Sequence, residues 1–142
     1  MSLTFLIPVD DSEAALRPGS WVVRNLPSWR EPPIVHLLNV QSALPGDISR
    51  FINADMIREF HLETGMNLLA RARNPLVAAG LLPELHVQIG EPAPTITQFA
   101  DMHGCSLILL GTRGHTGILG TLLGSVATKV AHLANVPVLL IR

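Results

Sequence analysis

"SLILLGTRGHTGILGTLLGSVATKVAHLANVPVLLIR", residues 106–142, carries most of the information about architecture. It opens on an apolar run of strand length, "SLILLG" (106–111), and closes on another, "VPVLLIR" (136–142). Between them lie five of the chain's eleven glycines, at 111, 114, 117, 120 and 124. "VATKVAHLA" follows, with Val126, Val130, Ala131 and Leu133 at helical spacing. Strand, glycine-rich connection, helix and strand make one βαβ unit. Its strands are apolar almost without interruption, as strands covered on both faces are.

The same alternation runs back to the amino terminus. "LTFLIPV" (3–9) and "PIVHLLNV" (33–40) read as the first two strands, and "ELHVQIG" (84–90) as a third of alternating character. Helical patterns fall near 12–26, 53–80, 93–103 and 125–134. Strict βα alternation with short connections predicts an α/β fold, an open five-stranded parallel sheet with helices on both faces and right-handed crossovers. Its expected strand order is 3-2-1-4-5. No repeat or composition shift divides the 142 residues, so 1–142 is read as a single domain. Two prolines interrupt the helical patterns. Pro18-Gly19 predicts a kink, or a regular helix that begins at Pro18; Pro75 predicts a bend or restart, with Asn74 as a possible N-cap. Segment 41–52 reads as a loop.

Composition narrows the function. At 48% hydrophobic and 15% charged, the chain can bury a sizeable core. Its net charge is -1 and its ten basic residues, of which only Lys129 is lysine, form no run. That excludes a nucleic-acid face and an electrostatic membrane surface as leading readings. Cys105 stands alone, which rules out an internal disulfide and a multi-cysteine zinc site; it reads as a small buried residue. No run approaches a membrane span, and "MSLTFLIPVDD" has neither a basic leader region nor a cleavage site. The expectation is a soluble, cytoplasmic protein.

An open α/β sheet binds ligands beyond the carboxyl ends of its strands, where strand order reverses. In the order 3-2-1-4-5, that point lies between strand one, ending in "PVDDS", and strand four, ending in "GTRG". Gly111 and Gly114 bracket the exit of strand four, where a sharp turn or the close approach of a ligand would exclude a Cβ. Gly124 and Ser125 stand at the start of the last helix, whose free amides with the Ser125 hydroxyl make an anion site that needs no lysine. Together these residues read as a phosphate cradle. The Walker loop is excluded because Lys129 lies inside the helix, and the dinucleotide fingerprint because no two glycines are separated by a single residue.

The spacing Gly111-x2-Gly114-x9-Gly124-Ser125 resembles the nucleotide signature of the universal stress protein family. "IPVDDSEAA", "VQIGEPAPTITQFA" and "GSVATKVAHLANVPVLLIR" are similar to that family's opening strand with its aspartate, its glycine-x-proline segment, and its closing helix and strand. The resemblance covers the whole chain. It implies a parallel five-stranded sheet, a homodimer and bound ATP, with Mg2+ held by the phosphates. By position, it implies that Asp10 meets the adenine or ribose end, with Pro8 and Val9 as the adjacent wall and Val40 in the adenine pocket. Gly111, Arg113 and Gly114 would line the ribose and phosphate path, and Gly124, Ser125 and Val126 would face the phosphates. Ser106 stands where members usually carry aspartate, and Asp11 where glycine is usual. The implied role is a nucleotide-dependent stress sensor or regulator and not an enzyme. The alternative is an adenine-nucleotide hydrolase or nucleotidyl transferase, whose serine-glycine-glycine loop or paired histidines "VDDSEAA" does not match.

Single residues are read conservatively. Adjacent Asp10 and Asp11 point in different directions, so Asp10 is expected on the ligand and its neighbours as helix caps. Arg113 is the one cation in the glycine run: a phosphate contact or a solvated loop residue. His115 has no carboxylate nearby in sequence to orient it and reads as a surface residue. The histidines at 36, 61, 86, 103 and 132 show no metal-ligand spacing, and Trp21 and Trp29 read as packing residues. The last strand, apolar and at a sheet edge, needs a partner; pairing 136–142 with its own copy would give an isologous dimer.

Overall fold

The computed structural model describes residues 2–112 and 123–142. Five parallel strands, β1 (Thr4–Pro8), β2 (Ile34–Gln41), β3 (Glu84–Ile89), β4 (Leu107–Gly111) and β5 (Val138–Ile141), form one sheet in the order β3-β2-β1-β4-β5. This is the expected order. Five α-helices join them: α1 (Arg17–Asn25), the short α2 (Gly46–Ser49), α3 (Ala54–Ala78), α4 (Pro92–Met102) and α5 (Ser125–Leu133).

Alternation along each strand divides the core into two layers. Phe5, Ile7, Val35, Leu37 and Leu109 pack with Val22, Leu69, Ala72 and Leu76 from α1 and α3. Leu6, Leu38, Ile108 and Leu110 pack with Ile96, Phe99, Ala127 and Val130 from α4 and α5. Each fully buried aliphatic side chain contributes about 1.5–3 kcal/mol, and β1 sits centrally with both edges paired and both faces covered. Trp21 and Trp29 belong to the first layer, their rings 5.9 Å apart and Trp29 edge-on to Phe5 at 5.4 Å. They are packing residues, as read from the sequence.

Ser106 is structural too. Its hydroxyl accepts from the Thr4 amide while its own amide donates to the Thr4 carbonyl, pinning β4 to β1. Cys105 is buried, and burial pushes its thiol up to about 11, the behaviour of an inert core residue.

The prolines resolve in two ways. A 3-10 turn, Glu13–Leu16, precedes α1, which becomes regular at Arg17, so Pro18 falls in the first helical turn where its missing N–H loses nothing. Pro75 neither ends nor restarts its helix: α3 runs through it from the Asn53 cap, whose side chain accepts from the Met56 amide. Asn74 is therefore interior and not a cap; its oxygen accepts from Arg73. Buried His61, Gly65, Leu69, Ala72 and Leu76 form one stripe that crosses the proline turn, and continued packing on the sheet offsets the lost hydrogen bond. The helix stops at Gly80, where φ of 94° lets the Gly80 and Leu81 amides fold back onto the Val77 and Leu76 carbonyls.

Two boundaries differ from expectation. Segment 41–52 contains the α2 turn, and β5 begins at Val138 because Pro137 offers no N–H to the sheet. Among the described residues, no helix is long and apolar enough to cross a membrane.

Candidate functional site

The carboxyl ends of β1, β2 and β4 and the start of α5 surround one cavity of about 160 Å3. Pro8, Val9, Asp10, Val40, Gly111, Gly124, Ser125 and Val126 all border it, so the two sequence segments expected to converge do converge. Arg113 and Gly114, like His115, Gly117 and Gly120, lie outside the described residues. Sequence reading missed the rest of the wall: Ala15, Leu38, Pro92, Ile96, Leu110 and Ala127. These are apolar residues without chemical signature, although Pro92 lies within the "GEPAP" segment (90–94) that opens α4 and is followed one turn later by Ile96.

Gly124 is the N-cap of α5, in an extended conformation (φ -61°, ψ 159°) open to any residue. Having no side chain, it makes no capping bond. The Ser125, Val126 and Ala127 amides accordingly have no hydrogen-bond partner among the described residues, while Thr128 already donates to the Gly124 carbonyl. Uncapped amides and the positive helix end thus open onto an apolar cavity.

Asp10 stands at the rim, exposed to solvent. One carboxylate oxygen accepts from both the Ser12 amide (2.9 Å) and the Ser12 hydroxyl (2.5 Å). Ser12 in turn caps the 3-10 turn by accepting from the Ala15 amide. Asp10 is therefore fixed in orientation through one oxygen, and Ser12 is the cap. Asp11 is exposed and does not border the cavity.

Gly111 requires a correction. A Cβ there would stand 1.8 Å from the Ala14 carbonyl oxygen, so the protein's own backbone, and not an approaching ligand, excludes the side chain. Below it, Thr112 donates to the Ile141 carbonyl, and the Arg17 guanidinium donates to the Thr112 carbonyl.

The histidines also need revision. Strand register sets His36 opposite Glu84 and Leu38 opposite His86, so His36, Glu84 and His86 meet on one face of the sheet beside Phe99 and His103. Linear spacing could not reveal a group assembled across two strands. Burial lowers the pKa of both His36 and His86, against the opposing pull of Glu84.

Comparison with known proteins agrees with this architecture. The model of the universal stress protein family matches residues 1–142. Over 88 residues the chain is 38% identical to Universal stress protein YxiE of Bacillus subtilis, a match covering 62% of this chain and 60% of YxiE. A universal stress protein from Archaeoglobus fulgidus superposes with a TM-score of 0.72 and 25% identity over 100% of both chains. An Arabidopsis thaliana family protein with AMP bound shares the fold at a TM-score of 0.69 and 20% identity, over 98% of this chain and 90% of its own.

Proposed function

The chain belongs to the universal stress protein family, and from that footing we propose that it binds an adenine nucleotide, ATP with Mg2+ carried on the phosphates, in the cavity between β1, β4 and α5. The observation that carries this reading is the uncapped start of α5 opening onto an apolar pocket. Val40, Leu38, Pro8 and Ile96 supply apolar walls suited to a flat base, and the α5 amides supply donors to phosphate oxygens. The cavity is smaller than the roughly 300–1,000 Å3 that encloses a drug-sized ligand. It accommodates the base end, with the phosphates along its open side. Asp10, held by Ser12, offers its remaining oxygen to a ribose hydroxyl.

Such a module senses or regulates and does not catalyse. What supports this reading is the part Asp10 plays: Ser12 holds its carboxylate in one orientation at the rim, as suits a group that binds a ribose hydroxyl. Calorimetry with ATP and Mg2+ tests the assignment: saturable heat is expected, with thermal stabilisation of about 2.7 kcal/mol at a hundredfold excess over Kd. The absence of both heat and stabilisation at millimolar nucleotide would overturn it. Sustained release of AMP or pyrophosphate would replace the sensor with an enzyme.

The homodimer belongs to the same proposal. β5 is an edge strand whose Leu140 is 38% exposed, and pairing with a second copy would satisfy its open backbone groups. Sedimentation velocity at micromolar concentration is expected to give a dimer; a monomer there would remove the β5 pairing and leave the nucleotide site standing.

A further inference from the structure

We propose that His36, Glu84 and His86 form a binding site for a divalent transition cation of the Zn2+ class. The three donors come from adjacent strands. Glu84 and His86 are two apart on β3 and so share a face, and His36 is the register partner of Glu84 on β2. Their ligand atoms converge. His36 Nδ1 lies 3.0 Å from His86 Nε2 and 3.3 Å from a Glu84 carboxylate oxygen, and that oxygen lies 3.8 Å from His86 Nε2. Zinc bonds of about 2.0–2.2 Å in tetrahedral geometry place neighbouring donors roughly 3.3–3.5 Å apart. The three separations bracket that value, so a cation fits between them with adjustments of a few tenths of an ångström.

The donor set selects the class of ion. Two imidazoles and one carboxylate suit zinc and its neighbours, whereas Mg2+ and Ca2+ prefer oxygen donors throughout. The surroundings hold the rings. The Phe99 ring stands edge-on to His86 at 4.6 Å and to His36 at 5.6 Å, and His103 stacks on Phe99 at 3.8 Å. Exposure rises across the triad, from 8% for the His36 side chain through 24% for His86 to 62% for Glu84. One side of the site therefore faces solvent, leaving a fourth coordination position for water or an external ligand.

Without a cation, one of the facing ring nitrogens donates its proton to the other. With a cation bound, that proton moves to the far nitrogen of its own ring, and both lone pairs point inward. The site is separate from the nucleotide cavity and does not depend on it. His36 lies four residues before Val40 along β2, roughly 13 Å of strand.

Titration of Co2+ into the metal-free full chain, without added nucleotide, tests the proposal. Visible d–d absorption saturating at one equivalent and displaced by Zn2+ is expected. Glu84→Gln and His86→Gln should each weaken Zn2+ binding at least about tenfold, the lower end of what losing even an outer-shell partner produces. Both positions lie on an edge strand and are less buried than His36, and circular dichroism verifies that each variant is folded. Absence of a Zn2+-displaceable band in the wild type, or undiminished Zn2+ binding in both folded variants, overturns the assignment.

Discussion

Gly111→Ala is expected to destabilise the protein by about 3 kcal/mol or more and to lower its thermal midpoint by roughly 10 °C. Most glycine-to-alanine changes in a strand are mild or favourable, because they restrict the unfolded chain. Here the added methyl would lie 1.8 Å from the Ala14 oxygen and 2.6 Å from its carbonyl carbon. Backbone cannot swing aside as the end of a flexible side chain can. Either β4 moves, breaking its register with β1 and β5, or the Glu13–Leu16 turn moves, carrying Ala15 out of the cavity wall. Both routes strain the junction at which the strand ends meet the site, so nucleotide affinity should fall with stability. Thermal and urea unfolding measure the first effect. A midpoint within about 3 °C of wild type would mean that the two segments separate freely, contrary to the close packing of Gly111 on the Ala14 carbonyl.

That contact also marks what sequence can and cannot disclose. The glycine at 111 was legible as a place where no Cβ fits; the agent of exclusion, the Ala14 carbonyl 97 positions away in the chain, was not. The sheet was legible because Phe5, Leu6 and Ile7 in β1 and Leu107 to Leu110 in β4 are apolar without a break, and β2 is interrupted only by His36 and Asn39 before its last residue, a pattern of strands buried on both faces. Pro75 misled because local propensity argues for a break, whereas the buried stripe from His61 to Leu76 decides in favour of one helix. The site divides similarly. Asp10, Gly124 and Ser125 announce themselves by chemistry, but Leu38 and Ile96 line the same cavity and look like any core residue. The His36–Glu84–His86 group is the extreme case: Glu84 lies 48 positions beyond His36, and only the β2–β3 register closes that gap.

Gly124→Asp should separate binding from stability. The wild-type backbone at 124 is extended, φ -61° and ψ 159°, so aspartate needs no special conformation there. Its carboxylate would accept from the amides of the first turn of α5 and lie favourably at the positive helix end, giving a thermal midpoint equal to wild type or slightly higher. The same carboxylate would occupy the donors assigned to phosphate and set a negative charge beside it. Repulsion between unit charges about 4 Å apart is worth about 4 kcal/mol at an effective dielectric of 20. Nucleotide affinity should therefore fall by about 100- to 1,000-fold while the fold is preserved, and binding of adenosine, which has no phosphate, should change little. The comparison isolates one physical cause. A variant that is folded and still binds ATP as wild type does would show that the phosphates do not sit on α5, and the nucleotide would have to be anchored by its base and ribose alone.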